Sequence, residues 1–129
     1  MYGFKTTVSG TLNEVISRVT DELKKEGFGV LTEIDVQATL KAKLGIDRRP
    51  YLILGACNPT LAHQALDAEP DIGLLLPCNV IVREEADGSV TVGFMDPVAV
   101  LGLVQRPELA PLGAEARSRL ERVRDRLAV

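Results

Sequence analysis

The segment from Thr11 to Gly27 leaves this chain the least freedom. Thr11-Leu-Asn-Glu14 is a capping box, in which a hydroxyl and a carboxylate each satisfy a backbone N–H that the first helical turn leaves unpaired. Leu12, Val15, Ile16, Val19 and Leu23 follow at helical spacing, so the helix must bury one stripe. Gly27 stops it, because glycine enters the left-handed region without steric cost. Both flanks read as strands. Residues 2–8 mix aromatic and β-branched types in alternation, and Phe28, Val30, Thr32 and Ile34 alternate with Gly29, Leu31, Glu33 and Asp35.

The rest of the chain repeats this punctuation. Asp35 caps a short helix to Leu44, and Gly45–Pro50 is a basic loop. Tyr51–Ala56 is a third strand, apolar on both faces. Asn58-Pro59 opens a helix as cap and first residue, ending near Glu69-Pro70. Leu74–Arg83 reads as a fourth strand, Asp87-Gly88 as a hairpin turn and Val90–Met95 as a fifth. Asp96-Pro97 starts another short helix to about Val104. A final helix from Pro111 carries Leu112, Ala116, Leu120, Val123 and Leu127 on one stripe. The order β-α-β-α-β-α-β-β-α-α predicts an α+β fold with a mixed, mostly antiparallel five-stranded sheet, in a single domain over 1–129.

Composition narrows the function classes. A net charge of −3 lacks the basic excess of a nucleic-acid binder, and three Phe, two Tyr and no Trp are too few for a base-stacking platform. Met1–Ser9 has no apolar leader core, and the uncharged stretches 72–82 and 97–105 are too short to span a bilayer. Two cysteines in such a chain read as reduced thiols, so a cytoplasmic location is expected, with no membrane and no nucleic acid as partner.

On the fourth strand Leu74, Leu76, Cys78, Val80 and Val82 form an inward set, yet the other parity, Leu75, Pro77, Asn79 and Ile81, is rather apolar too. Tyr51, Ile53 and Gly55 extend that second face. A second copy of the chain would cover it, which predicts a homodimer.

The chemistry concentrates at Cys57 and Cys78. Cys57 precedes Asn58-Pro59, where a helix N-terminus favours thiolate. A strand–helix–strand unit ordinarily makes a right-handed crossover between parallel strands, which would set the two cysteines level if those strands are neighbours. Three readings are open: two buried small hydrophobes, a redox-active or reversibly oxidised pair, or a soft-metal site needing a third ligand. His63, the single histidine, is the third metal candidate with Cys57 and Cys78, although it lies well into its helix. Asn58 and Asp96 read as caps. The functional alternative is anion binding at the helix start by Asn58, with Arg48 and Arg49 as clamps. The arginines of the last helix alternate with Glu115, Glu121 and Asp125, as in a salt-bridged surface. No Ser-His-Asp set, phosphate-binding glycine loop, HExxH or EF-hand pattern is present, and no cofactor is indicated.

Gly27-Phe-Gly-Val-Leu-Thr-Glu-Ile-Asp-Val36, Tyr51-Leu-Ile-Leu-Gly-Ala-Cys-Asn-Pro59 with Leu61-Ala62, and Leu75-Leu-Pro-Cys-Asn-Val80 resemble, in this order, the domain-of-unknown-function 302 family. The resemblance implies a TATA-binding-protein-like α+β fold with helices on one side of a curved sheet. The family has no agreed catalytic residues or cofactor to carry over, and likeness of fold to a DNA-binding protein is no evidence of DNA binding. The expected function is a small, non-catalytic binding or accessory domain whose Cys57/Cys78 region handles a thiol-reactive species, a soft metal or an anion. A thiol-dependent redox protein or enzyme with Cys57 reactive is the alternative, and a purely structural dimeric interaction module the third.

Overall fold

The first helix starts and stops where its sequence predicts. The Thr11 hydroxyl accepts from the Glu14 N–H at 3.2 Å and starts α1 (Leu12–Lys25). At its end Gly27 takes φ +83°, so that Gly27 N–H donates to Lys24 and Phe28 N–H donates to Leu23. This pair of closing bonds turns the chain straight into a strand. The computed structural model describes residues 1–128. Around α1 it places β1 (Gly3–Val8), β2 (Gly29–Asp35), α2 (Val36–Leu44), β3 (Tyr51–Cys57), α3 (Pro59–Ala68) and a 3₁₀ segment (Pro70–Leu75). β4 (Cys78–Glu84), β5 (Val90–Met95), α4 (Pro97–Gly102), a 3₁₀ turn (Pro107–Leu109) and α5 (Ala110–Leu127) complete it.

The strands form one sheet in the order β1-β5-β4-β3-β2, and all four pairings are antiparallel. The parallel crossover expected between β3 and β4 is therefore not made. α3 runs out from the end of β3, and the 3₁₀ segment packs against it on the way back, so the chain re-enters beside β3 in the opposite sense. The same return corrects the fourth strand. Leu74 and Leu75 belong to the 3₁₀ segment, Leu74 is exposed, and pairing begins at Cys78.

α1 and α5 cover one face of the sheet. Val15, Val19 and Leu23 of α1 and Leu120 and Val123 of α5 are fully buried against Leu54, Ala56, Val80, Val82, Val92 and Phe94. Each such aliphatic side chain contributes roughly 1.5–3 kcal/mol of transfer free energy. The arginines of α5 pair partly along their own helix, Arg119 with Glu115 and Arg117 with Glu121. Arg122 and Arg126 instead reach across to Glu26 at 2.9 Å, tying the C-terminal ends of α1 and α5 together. Burial and hydrogen bonds to these guanidiniums act in opposite senses on Glu26, and the bonds from Arg122 prevail, lowering its pKa.

One irregularity shapes the site. Val30 pairs with Ala56 and Thr32 with Gly55, so Leu31 is an extra residue, a β-bulge on the edge strand. Side chains alternate along a strand, so the bulge shifts the face on which every later residue of β2 lies. Val30 joins the helix-covered face, whereas Thr32 and Ile34 lie on the open one.

Candidate functional site

Where β3 ends, β4 begins and α3, α4 and α5 converge, the structure leaves a cavity of about 330 Å³. Its wall takes Phe28 and Ala56 from the helix-covered side of the sheet, Leu61 and Ala65 from α3, Leu101 from α4 and Ala116 from α5. Leu31, Thr32 and Pro77 close the other side. Among the described residues, no charged side chain lines it. Cys57, Asn58 and Cys78 are all in the wall, so the sequence-marked cysteines do share one site.

They share it diagonally. Cys78 pairs with Ala56 and Cys57 with Gly29, which puts the cysteines one step apart on adjacent strands. Strand spacing and rise set their Cα atoms about 6 Å apart. Alternation nevertheless sends the two side chains to opposite faces, a poor geometry for a disulfide. Both are free thiols. The cavity touches both because it wraps around the end of the sheet. Cys78 is the more enclosed chemically: desolvation, reinforced by the neighbouring Cys57, pushes its thiol up to about 11.

Gly55 shapes the floor beside them. A Cβ at this position would lie 2.2 Å from Thr32 Oγ1 and 2.8 Å from Pro77 Cγ. Only glycine lets both wall residues close over β3 at this point. Asn58 is buried, at 7% exposure, and its Oδ1 accepts from the Leu61 N–H at 3.1 Å. It is the N-cap of α3, with Pro59 in the first turn. Asp96 does the same for α4, accepting from Val98 N–H at 2.9 Å while Arg117 neutralises it at 3.1 Å.

The other sequence-marked residues are elsewhere. Arg48 and Arg49 precede β3, at the opposite end of a strand ~20 Å long from Asn58. They cannot clamp an anion held at the start of α3. Arg48 instead stacks over the Tyr51 ring at 5.7 Å. His63 is exposed on α3, 3.5 Å from Asp67, and is not in the cavity wall. Among the described residues, no three His, Cys, Asp or Glu side chains are gathered to hold a metal ion. The Cys57/Cys78/His63 set is thus not assembled, because His63 lies on the outer side of its helix.

Most of the wall is not legible in the sequence. Leu61, Ala65, Leu101 and Ala116 read as stripe residues of separate helices, and only the bulge signal at Leu31, an apolar residue on the polar parity of β2, hinted at a break. Among the described residues no helix is long and apolar enough to cross a membrane.

Comparison with known proteins agrees with the architecture. An uncharacterized conserved protein DUF302 from Bacillus stearothermophilus, known from its crystal structure, is 35% identical, with a TM-score of 0.91 over 98% of each chain. An uncharacterized protein of Aquifex aeolicus (strain VF5) is 32% identical over 72 residues, 54% of this chain. The match spans about half, 49%, of that curated relative's length. The model of the domain of unknown function DUF302 matches residues 4–127, and the chain therefore belongs to the DUF302 family.

Proposed function

We propose that this chain is a small, non-catalytic binding domain that holds an uncharged, thiol-reactive or apolar small molecule in the cavity between the sheet end and α3. The observation that carries the reading is that both cysteines stand in the wall of one apolar cavity. Its volume is of the order found for small-molecule sites, roughly 300–1,000 Å³. Two facts turn the reading away from an anion or a soft metal: among the described residues no cationic side chain is in the wall, and no His, Asp, Glu or further Cys joins the thiols as a third ligand. An enzymatic role for Cys57 would need a base within hydrogen-bond reach, and His63, the only histidine, faces solvent.

The test uses N-phenyl-1-naphthylamine, a neutral fluorophore, with N-ethylmaleimide labelling of Cys57 followed by mass spectrometry. Saturable fluorescence together with slower Cys57 labelling supports the site. Absence of saturable binding, or binding that leaves the labelling rate unchanged, contradicts it. Rapid labelling of Cys57 already at pH 6 would favour the thiol-dependent redox protein instead.

A second reading concerns assembly. Register aligns Ile81, Ile53 and Ile34 in one row across β4, β3 and β2 on the open face, with Ile34 49% exposed. This row supports a homodimer through the sheet. Sedimentation equilibrium of Ile53→Glu against the native chain checks it, since a charge in that row abolishes a dimer formed there and leaves any other dimer intact.

A further inference from the structure

Resting on the cavity's reading as a ligand site, we infer that its occupant is the end of a neutral aliphatic chain, about ten carbons long, inserted between Leu31 and Leu66 with any polar head left in solvent. The apolar part of the wall is aliphatic apart from Phe28, which offers no stacking pair for a flat aromatic ligand. Its polar members are few: Thr32, Asn58 and the two cysteines. Asn58 Oδ1 already accepts the Leu61 N–H, and the thiols are poor hydrogen-bond partners. No ionised group there compensates a buried charge, and the Thr32 hydroxyl and Asn58 amide are too few partners for a polyhydroxyl group.

The mouth has the same character as the interior. Leu31 and Leu66 belong to the wall yet remain 69% and 42% exposed, so the apolar surface runs out to solvent between β2 and α3. The β-bulge puts Leu31 there. A mouth of this kind suits a ligand that is apolar up to its point of exit. A volume of 330 Å³, against the ~30 Å³ that one water molecule takes in the liquid, is on the order of ten water-sized groups, the scale of a chain of about ten carbons.

The experiment titrates the native protein with n-alkanols from hexanol to tetradecanol, following displacement of N-phenyl-1-naphthylamine and the rate of Cys57 labelling. Affinity should rise about fourfold per methylene and level off near ten carbons. Decanoate should bind within a few-fold of decanol. Ala62→Leu, which adds bulk at a half-buried wall position, should move the plateau to shorter chains. Leu31→Ser, at an exposed position, should weaken all lengths alike with the fold retained by circular dichroism. Affinity independent of chain length, or a plateau that Ala62→Leu does not move, overturns the inference. If the fluorophore still binds and protects Cys57 in that case, the cavity remains a site and only its aliphatic occupant is refuted. If neither the fluorophore nor any alkanol protects Cys57, both fall.

Discussion

Alkylation of Cys78 should be slow by an amount the cavity wall determines. Cys57→Ser isolates the thiol and removes only the smaller cause of its shift, because desolvation comes first and survives the substitution. A thiol moved from 9.0 to about 11 carries about a hundredfold less thiolate at neutral pH. The more basic sulfur is also more nucleophilic, and a Brønsted coefficient of about 0.45 returns roughly eightfold. The net expectation is alkylation roughly tenfold slower than that of an unstructured cysteine peptide. The assay is the pseudo-first-order rate with iodoacetamide, read by mass spectrometry from pH 6.5 to 11. The log rate should climb through pH 9.5 without levelling and bend only near 11. A plateau at pH 8.5–9, with the rate of a free peptide thiol, would refute the reasoning, since it would require a solvated Cys78 and an open wall. Stability carries the same signature. Between about 9 and about 11 the unfolded chain ionises this thiol while the folded chain does not. The contribution of Cys78 is therefore complete below pH 9 and lost as pH rises to 11. The denaturant midpoint of Cys78→Ala should accordingly fall less across that window than the native midpoint.

Gly55→Ala should cost about 1–3 kcal/mol in urea unfolding, because its Cβ meets Thr32 and Pro77 inside contact distance. Adding Thr32→Ala should recover part of that loss, a non-additivity that independent sites would not show. Asn58→Ala should lower stability by about 1 kcal/mol through the lost cap of α3, whereas Asn58→Asp, which can still cap, should cost less, again by urea midpoint. Glu26→Gln should lower the midpoint at pH 7 and become indistinguishable from native at acidic pH. Glu22 and Glu26 both have lowered pKa values, from hydrogen bonds to Lys25 and Arg126 and to Arg122 and Arg126 respectively. Their contribution is present above the ordinary glutamate range and disappears as pH falls through the lowered folded values.

Much of the fold was legible because the local signals were strong. The capping box at Thr11, the Asn58-Pro59 and Asp96-Pro97 starts and the Asp87-Gly88 turn each place an element boundary close to where it falls. Pairing sense was not legible. The length between β3 and β4 suits a crossover, and nothing local records that the 3₁₀ segment doubles back along α3. Leu74–Leu76 misled for a related reason: apolar residues in a tight return look like the start of a strand. The site was legible only at its two thiols. Its wall is drawn from residues far apart in sequence, such as Leu31, Leu61, Leu101 and Ala116, each of which reads as ordinary core or surface until the register and the bulge bring them together. Arg48 and Arg49 seemed close to Asn58 along the chain, but an extended strand separates neighbours in sequence by its full length.

The central claim, that the cavity at the end of β3 holds a small neutral ligand, meets its most direct test in amide chemical shifts of the native protein titrated with n-decanol. Saturable shifts should cluster at Leu31, Cys57, Leu61, Leu66, Cys78 and Ala116, with Lys5–Thr7 at the far edge unmoved. Shifts confined to Ile34, Ile53 and Ile81 on the open face, or none at the solubility limit of the alcohol, would contradict it.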